Sequence, residues 1–332
     1  VHLGQELPPW LSATIVQARH FNNCPIYLVA EAAAHKRGAI PAHPNTTKIV
    51  LEDIGISDKQ RAFHAISPLD REFRGGFWTY TTERFFVIET AIGALGLRNV
   101  AHLENDALLY TDIETLAPRL SKLYTSVAAT FLNDDCCVPS FVYLLGAEAA
   151  TKLSEAVLWV FDKLLSSPQY PTLRSQVNDM LLLAILRMNC ENVIDHLPKV
   201  PPNYPGQLRS EMGHVPVDPS RYTKNFEDLN FVFDGAALGQ YLGGIDPQNP
   251  PPHEPGYVNP GSVFDPGALN PHLIEDDRGR KLPVVESNGK PIPSPISIFA
   301  QRTCDNFCRD SGRERRAMSA MLLPNQVRAT FG

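Results

Sequence analysis

The stretch "TTERFFVIETAIGALGLRNVAHLENDALLYTD", residues 81–112, decides the fold reading. Its first half is strongly apolar and reads as a helix. Thr81 or Thr82 would cap it, Glu83 suits its first turn, and Gly96 would end it. "VAHL" at 100–103 then reads as a short buried strand, followed by Glu104-Asn105-Asp106 and, after another apolar run, Asp112. A helix feeding a strand that ends in acids fits a parallel α/β sheet, which binds ligands beyond the carboxyl ends of its strands. Carboxylates there are hard oxygen donors suited to Mg²⁺ or Mn²⁺. The plain alternative is a polar loop whose acids are simply solvated.

The rest of the chain extends the pattern. "VHLG" at 1–4 reads as the end of a strand, and Pro8-Pro9 introduce a helix with Leu11, Ile15 and Ala18 on one face. "PIYLVA" at 25–30 and "KIVLEDIG" at 48–55 read as strands, as do "SVAATFL" and "FVYLLG" further on. Residues 147–166 and 178–189 read as helices. From about residue 197, prolines and glycines crowd the chain, yet Phe226, Phe231, Phe233, Tyr241 and Tyr257 remain as apolar anchors. The expected architecture is α/β: a Rossmann-type, mostly parallel sheet flanked by helices, with an irregular Pro/Gly-rich C-terminal lobe. Its expected divisions are a ligand-binding α/β domain at 1–196, the irregular lobe at 197–293 packed on it, and a tail at 294–332.

Composition narrows the function classes. The 332 residues are 43% hydrophobic and 20% charged, as in a globular protein with a sizeable core. A net charge of −6 gives no general attraction to nucleic acid or anionic membrane, so neither is expected as a partner. "MLLLAIL" at 180–186 is too short to span a bilayer, and no transmembrane segment is expected. Six cysteines, two of them adjacent, form no disulfide framework or convincing metal spacing. A cytoplasmic location is the working expectation, and a missing signal peptide carries no weight in a chain that starts at Val1.

The stretch "GFWTYTTERFFVIETAIGALGLRNVAHLENDALLYTDIETL" at 76–116 resembles GT-A glycosyltransferases. "VHLGQELPPWLSATIVQARHFNNCPIYLV", "NDMLLLA" and "FDGAALGQYLGGIDPQN" resemble other blocks of the same family, so the resemblance spans most of residues 1–260. It implies a GT-A-like fold and a metal-dependent, hexosyltransferase-like enzyme. A sugar would move from a nucleotide-diphosphate donor to a hydroxyl on a carbohydrate or other acceptor. Glu104 and Asp106 would then hold Mn²⁺ or Mg²⁺, with Asp106 the direct ligand and contact to the donor.

Other residues carry two readings each. Arg84 either meets the nucleotide or diphosphate with its planar fork or pairs with a surface acid. Gly4 and Gln5 follow the first strand, where the nucleotide would sit, or form a plain turn. Glu52 and Asp53 end a strand and either read the base or ribose or are solvated. Asp179 is either a helix-start acid favoured by the dipole or, as the resemblance implies, a catalytic base facing the acceptor. In "FDGAALGQYLGGID" at 233–246, Asp234, Gln240 and Tyr241 offer polar groups and a stacking face to an acceptor sugar; the alternative is a tightly packed glycine-rich helix. His102 reads as structural.

One part departs from the family pattern. The resemblance implies a late Asn-Leu-His-Ile-His-Ser-Lys strand, with a His as a further metal ligand. Here the chain reads "SPISIFAQRTCDNFCRDSG", and no His follows His272. The codons TCT CCA ATC TCC ATA TTC would encode Ser294–Phe299; read two bases on, they give Ser-Asn-Leu-His-Ile. A frameshift from about Ser294 is therefore expected, with residues 294–332 packing poorly. The rival reading is a catalytically inactive nucleotide- or sugar-binding relative that lacks this His. A nucleotidyltransferase is disfavoured, because "VHLGQELPPW" offers one glycine and no Lys or Arg for a phosphate loop.

Overall fold

The computed structural model describes residues 1–8, 11–38, 43–72, 75–164, 177–190, 192–209, 218–243 and 255–298. Helix α1 (Leu11–Phe21) leads to β1 (Ile26–Ala30), α2 (Ala32–Arg37), β2 (Thr46–Val50), α3 (Leu51–Ile54) and α4 (Asp58–Ile66). The long α5 (Phe77–Leu95) is followed by β3 (Val100–Leu103), β4 (Ala107–Leu109), α6 (Ile113–Leu123), β5 (Val127–Asn133) and β6 (Cys136–Leu144). Then come α7 (Ala147–Trp159), continued by a π-helical turn at Val160–Leu164, α8 (Asp179–Asn189) and β7 (Ile194–His196). Beyond these lie α9 (Pro219–Thr223), α10 (Phe226–Leu229), α11 (Leu238–Tyr241), β8 (His272–Glu275), β9 (Lys281–Ser287), β10 (Lys290–Pro293) and β11 (Ile296–Ile298).

The fold is α/β, with parallel strand pairs flanked by helices. β1 pairs with β2 and β5 with β7 in parallel. The central sheet runs β3-β6-β5-β7, and its β3–β6 and β5–β6 joints are antiparallel. Every residue of β5 and β6 is buried, because both faces of this sheet are covered. On one face, Val127, Ala129 and Phe131 join the core with Phe86 from α5, Leu153 from α7 and Leu183 from α8. On the other, Ala128, Phe141 and Tyr143 pack with Leu116 and Leu120 of α6. Among the described residues, no helix is long and apolar enough to cross a membrane.

Several local expectations shift. Helix α5 begins at Phe77 behind Gly76, whose φ of +87° suits glycine, so Thr81 and Thr82 lie inside the helix. Thr82 is fully buried there; burial of the helix face outweighs its capping preference. Gly96 does end the helix, in the left-handed conformation. Glu52 and Asp53 fall in α3, since β2 stops at Val50. Residues 1–4 form no regular strand, although the His2 N–H donates to the Val29 carbonyl at 2.9 Å.

The Pro/Gly-rich stretch contains an antiparallel sheet, β8-β9-β10, that composition concealed. Ser294 and Ile296 are buried, and β11 pairs antiparallel with β4. Poor packing from Ser294 onward is therefore not seen over these first residues, because they fill the edge of β4. Residues 299–332 lie outside the described residues.

Candidate active site

The acid turn is fixed by its neighbours on three sides. β3 carries the chain to Glu104, whose N–H donates to the Ser140 carbonyl on β6 at 3.0 Å. The Ala107 N–H returns to the Glu104 carbonyl at 3.2 Å, closing a tight turn before β4. From α1, the Thr14 hydroxyl donates to the Asn105 carbonyl at 2.6 Å. The His2 ring and the Asn105 side chain approach to 3.4 Å.

Arg84 links the turn to α8. One guanidinium nitrogen pairs with Glu104, and the other lies 2.5 Å from Asp179. Arg84 comes from the middle of α5, and Asp179 from the first position of α8. Asn178 caps α8, its side-chain oxygen accepting from the Leu181 N–H at 2.9 Å, and this sets Asp179 at the helix start. Asp179 is 3% exposed, Arg84 7%. Burial raises the Asp179 pKa, and Glu104 adds to the rise, while Arg84 opposes it. Burial pulls the guanidinium pKa down, but Glu104 and Asp179 outweigh that pull and hold it raised. Asp106 also acts on Arg84 through its charge.

Orphaned donors and acceptors surround this cluster. Arg84 Nε, Ser140 Oγ and His102 Nε2 are buried with no hydrogen-bond partner among the described residues. Burial holds the His102 pKa well below its ordinary value, which favours the uncharged ring. An unpartnered guanidinium N–H suits an anionic oxygen.

The donor set of the turn suits a divalent cation. Mg²⁺ is held through one or two carboxylates together with substrate phosphates, and Glu104 and Asp106 supply such oxygens. One guanidinium among three carboxylates leaves the group net negative. Among the described residues, however, no group of three or more His, Cys, Asp or Glu side chains is gathered to hold a metal alone.

The remaining candidates fall in two places. The Gly4 N–H donates at 3.1 Å to Glu31, just past the carboxyl end of β1, and the Gln5 side chain accepts at 3.3 Å from Arg37 at the end of α2. Gly4 has a φ of +120°, so glycine is required there. Glu52 is exposed to solvent, as one of its two readings has it, and it also accepts from the Ala32 N–H at 3.0 Å at the start of α2. Asp234 and Gln240 are 1% and 3% exposed. Asp234 accepts from the N–H groups of Ala237, Leu238 and Gly239, while Gln240 accepts from Asn259 at 3.0 Å. Asp234 thus ties down its own loop, in which Ala236 has a φ of +60°, while Gln240 ties that loop to Asn259. Tyr241 is half-buried at the end of α11. α11 packs on β11 and β11 on β4, so these residues sit two elements away from the acid turn.

Nothing local in the sequence assigns His2, Thr14 or Glu31 to the acid turn. Thr14 and Asn105 are 91 positions apart, and no local pattern signals such a contact. Glu31 is legible only as an acid next to a strand end.

No protein-family model matches the chain, and no curated protein matches it in sequence. A crystal structure of mouse xyloside xylosyltransferase 1 in its apo form aligns with 8% identity and a TM-score of 0.39. The alignment covers 57% of this chain and 79% of that one. A likeness at that level carries no argument about fold or activity.

Proposed function

We propose that the chain is a glycosyltransferase that moves a sugar from a nucleotide-diphosphate donor to an acceptor hydroxyl. The observation that carries this reading is Arg84 held between Glu104 and Asp179 beside the 104–106 turn. In this reading Glu104 and Asp106 would hold Mn²⁺ or Mg²⁺, which when bound neutralises charge on the diphosphate. Arg84 donates its remaining N–H to a diphosphate oxygen. Gly4 and Gln5 face the nucleotide, and Asp234 and Gln240 hold the loop from which Tyr241 meets the acceptor.

Asp179 takes the proton from the acceptor hydroxyl. Its buried setting raises its proton affinity, which makes the ionised carboxylate a stronger base than a solvated one. The Arg84 pairing keeps it ionised until the acceptor arrives. Screening nucleotide sugars for Mn²⁺-dependent hydrolysis and transfer tests the reading. If none is turned over, with or without acceptors, the transferase reading fails.

The absence of any His after His272 favours a second reading, an inactive nucleotide- or sugar-binding relative. Binding of a nucleotide diphosphate without turnover would select it. The proposed frameshift bears on the same point. Sequencing the transcript across codon 294 checks it, and an unambiguous in-frame read removes it.

A further inference from the structure

Lys199 follows β7 and is 1% exposed, yet no part of the acid-turn site uses it. Its backbone N–H donates to the Tyr222 carbonyl at 2.7 Å, which fixes where the side chain starts. The side chain reaches the carboxyl end of β5, where Nζ donates to the Phe131 carbonyl at 3.0 Å and to the Leu132 carbonyl at 3.2 Å. A third donation, at 3.2 Å, goes to the Gly235 carbonyl in the 234–241 loop. The same nitrogen lies 5.1 Å from the centre of the Phe264 ring. β3 and β5 both run antiparallel to β6, so this end of β5 is on the sheet edge that carries the acid turn.

Both partners are shaped for this contact. β5 and β6 slip register between Ala129 and Thr130 and again between Phe131 and Asn133, and such bulges leave backbone groups outside the ladder. Gly235 lets the loop come close, since a Cβ there would lie 3.2 Å from Lys199 Nζ and 3.4 Å from the Phe131 carbonyl oxygen. Beyond Gly235 the loop is held by Asp234 and by Asn259, whose side chain donates to the Ala236 carbonyl and to Gln240. Asn259 also accepts from the Gly261 N–H, and the Gly261 carbonyl accepts from Asn133 of β5. Two routes therefore join the loop to β5, and Lys199 is the shorter. An apolar side chain of similar length would fill the same space without stripping water from a charge, so burial alone does not explain an ammonium there. Directional donors set where the loop sits, which apolar contact does not.

We propose that Lys199 is a positioning residue for the acceptor. It pins the 234–241 loop to the β5 edge so that Tyr241 is presented to a sugar acceptor. This rests on the transferase reading. Buried as it is, Lys199 touches neither donor nor acceptor. Hydrolysis of the donor, in which water takes the place of the acceptor, does not need the loop.

The test compares Lys199→Met and Gly235→Ala with the unmutated chain. Three quantities are read: Mn²⁺-dependent hydrolysis of UDP- and GDP-sugars, transfer to a panel of p-nitrophenyl glycosides, and hydrogen exchange of the Ala237, Leu238 and Gly239 amides. Lys199→Met is expected to raise KM for the glycoside at least about tenfold while donor hydrolysis stays within about twofold. The three amides should exchange at least about tenfold faster. Gly235→Ala crowds the ammonium from the loop side and should move KM and exchange in the same direction; it decides the matter if Lys199→Met does not fold. Unchanged KM and exchange would overturn the proposal, as would equal losses of hydrolysis and transfer, or failure of both variants to fold. An unmutated chain that hydrolyses donor but accepts none of the glycosides would overturn the acceptor role alone. No hydrolysis of any donor by the unmutated chain would instead sink the transferase reading, and the proposal with it.

Discussion

Arg84 is the side chain on which three segments of the candidate site depend. Replacing it with Met removes the cation and leaves Asp179 buried without its partner. Breaking such a pair from one side costs about 3–5 kcal/mol, which denaturant unfolding would measure. Adding Asp179→Asn to Arg84→Met should recover part of that loss, because the stranded charge goes too. Asp179 also fixes a pH dependence. Its folded pKa is raised, so between the ordinary carboxyl range and the raised value the folded state binds the extra proton. Its contribution to stability therefore falls as pH rises through that window. Asp179→Asn should flatten this slope in unfolding curves taken across acidic pH; an unchanged slope assigns it to other groups. The sequence made Arg84, Glu104 and Asp179 visible as polar residues at chosen points of apolar elements. Their meeting was not visible, because Arg84 and Asp179 are 95 positions apart and the pairing forms only in three dimensions.

At the scale of elements, the ends of helices offer the cleanest tests. A Cβ at Gly96 would meet nothing within 4 Å, so Gly96→Ala carries only the cost of the left-handed backbone, about 1–2 kcal/mol. Thermal unfolding checks it, and a neutral result would mean that α5 ends otherwise in solution. Helix α8 was legible because Asn178 and the apolar run are local signals. The antiparallel β8-β9-β10 sheet was not, since Pro283, Pro291 and Pro293 hide its strands. Pro283 is tolerated in the middle strand for a specific reason. Its carbonyl accepts from the Ser294 N–H on the β10 side, where β10 has just ended at Pro293, so the missing N–H also faces that side and no β10 ladder bond is lost. The antiparallel β5–β6 hairpin was hidden differently: each strand was legible as an apolar run, but burial on both faces erases the alternation that would show pairing direction.

For the whole molecule, the charge balance makes a prediction about binding. A chain with net charge −6 places carboxylates where the proposed diphosphate would lie. Binding of nucleoside diphosphates should therefore require Mn²⁺ or Mg²⁺, vanish in EDTA, and weaken at least about tenfold in Asp106→Ala. Calorimetry with a panel of nucleoside diphosphates measures it. Equal affinity with and without metal, unchanged by Asp106→Ala, would falsify the metal bridge and leave a metal-independent transferase or a simple binding protein.

The pairing of β11 with β4 sets when this region can take shape. β4 leaves the acid turn early in the chain, yet its partner Ile296–Ile298 is near the far end of the described residues. A ribosome releases the two strands at widely separated moments, and a contact of such separation closes late. Nascent chains halted before codon 294 should thus expose the Ala107–Leu109 edge to chaperones, whatever their helices have already formed. The acid-turn region would take its full shape only once Ile296–Ile298 has left the exit tunnel, so errors in that stretch would act on a region encoded hundreds of bases earlier.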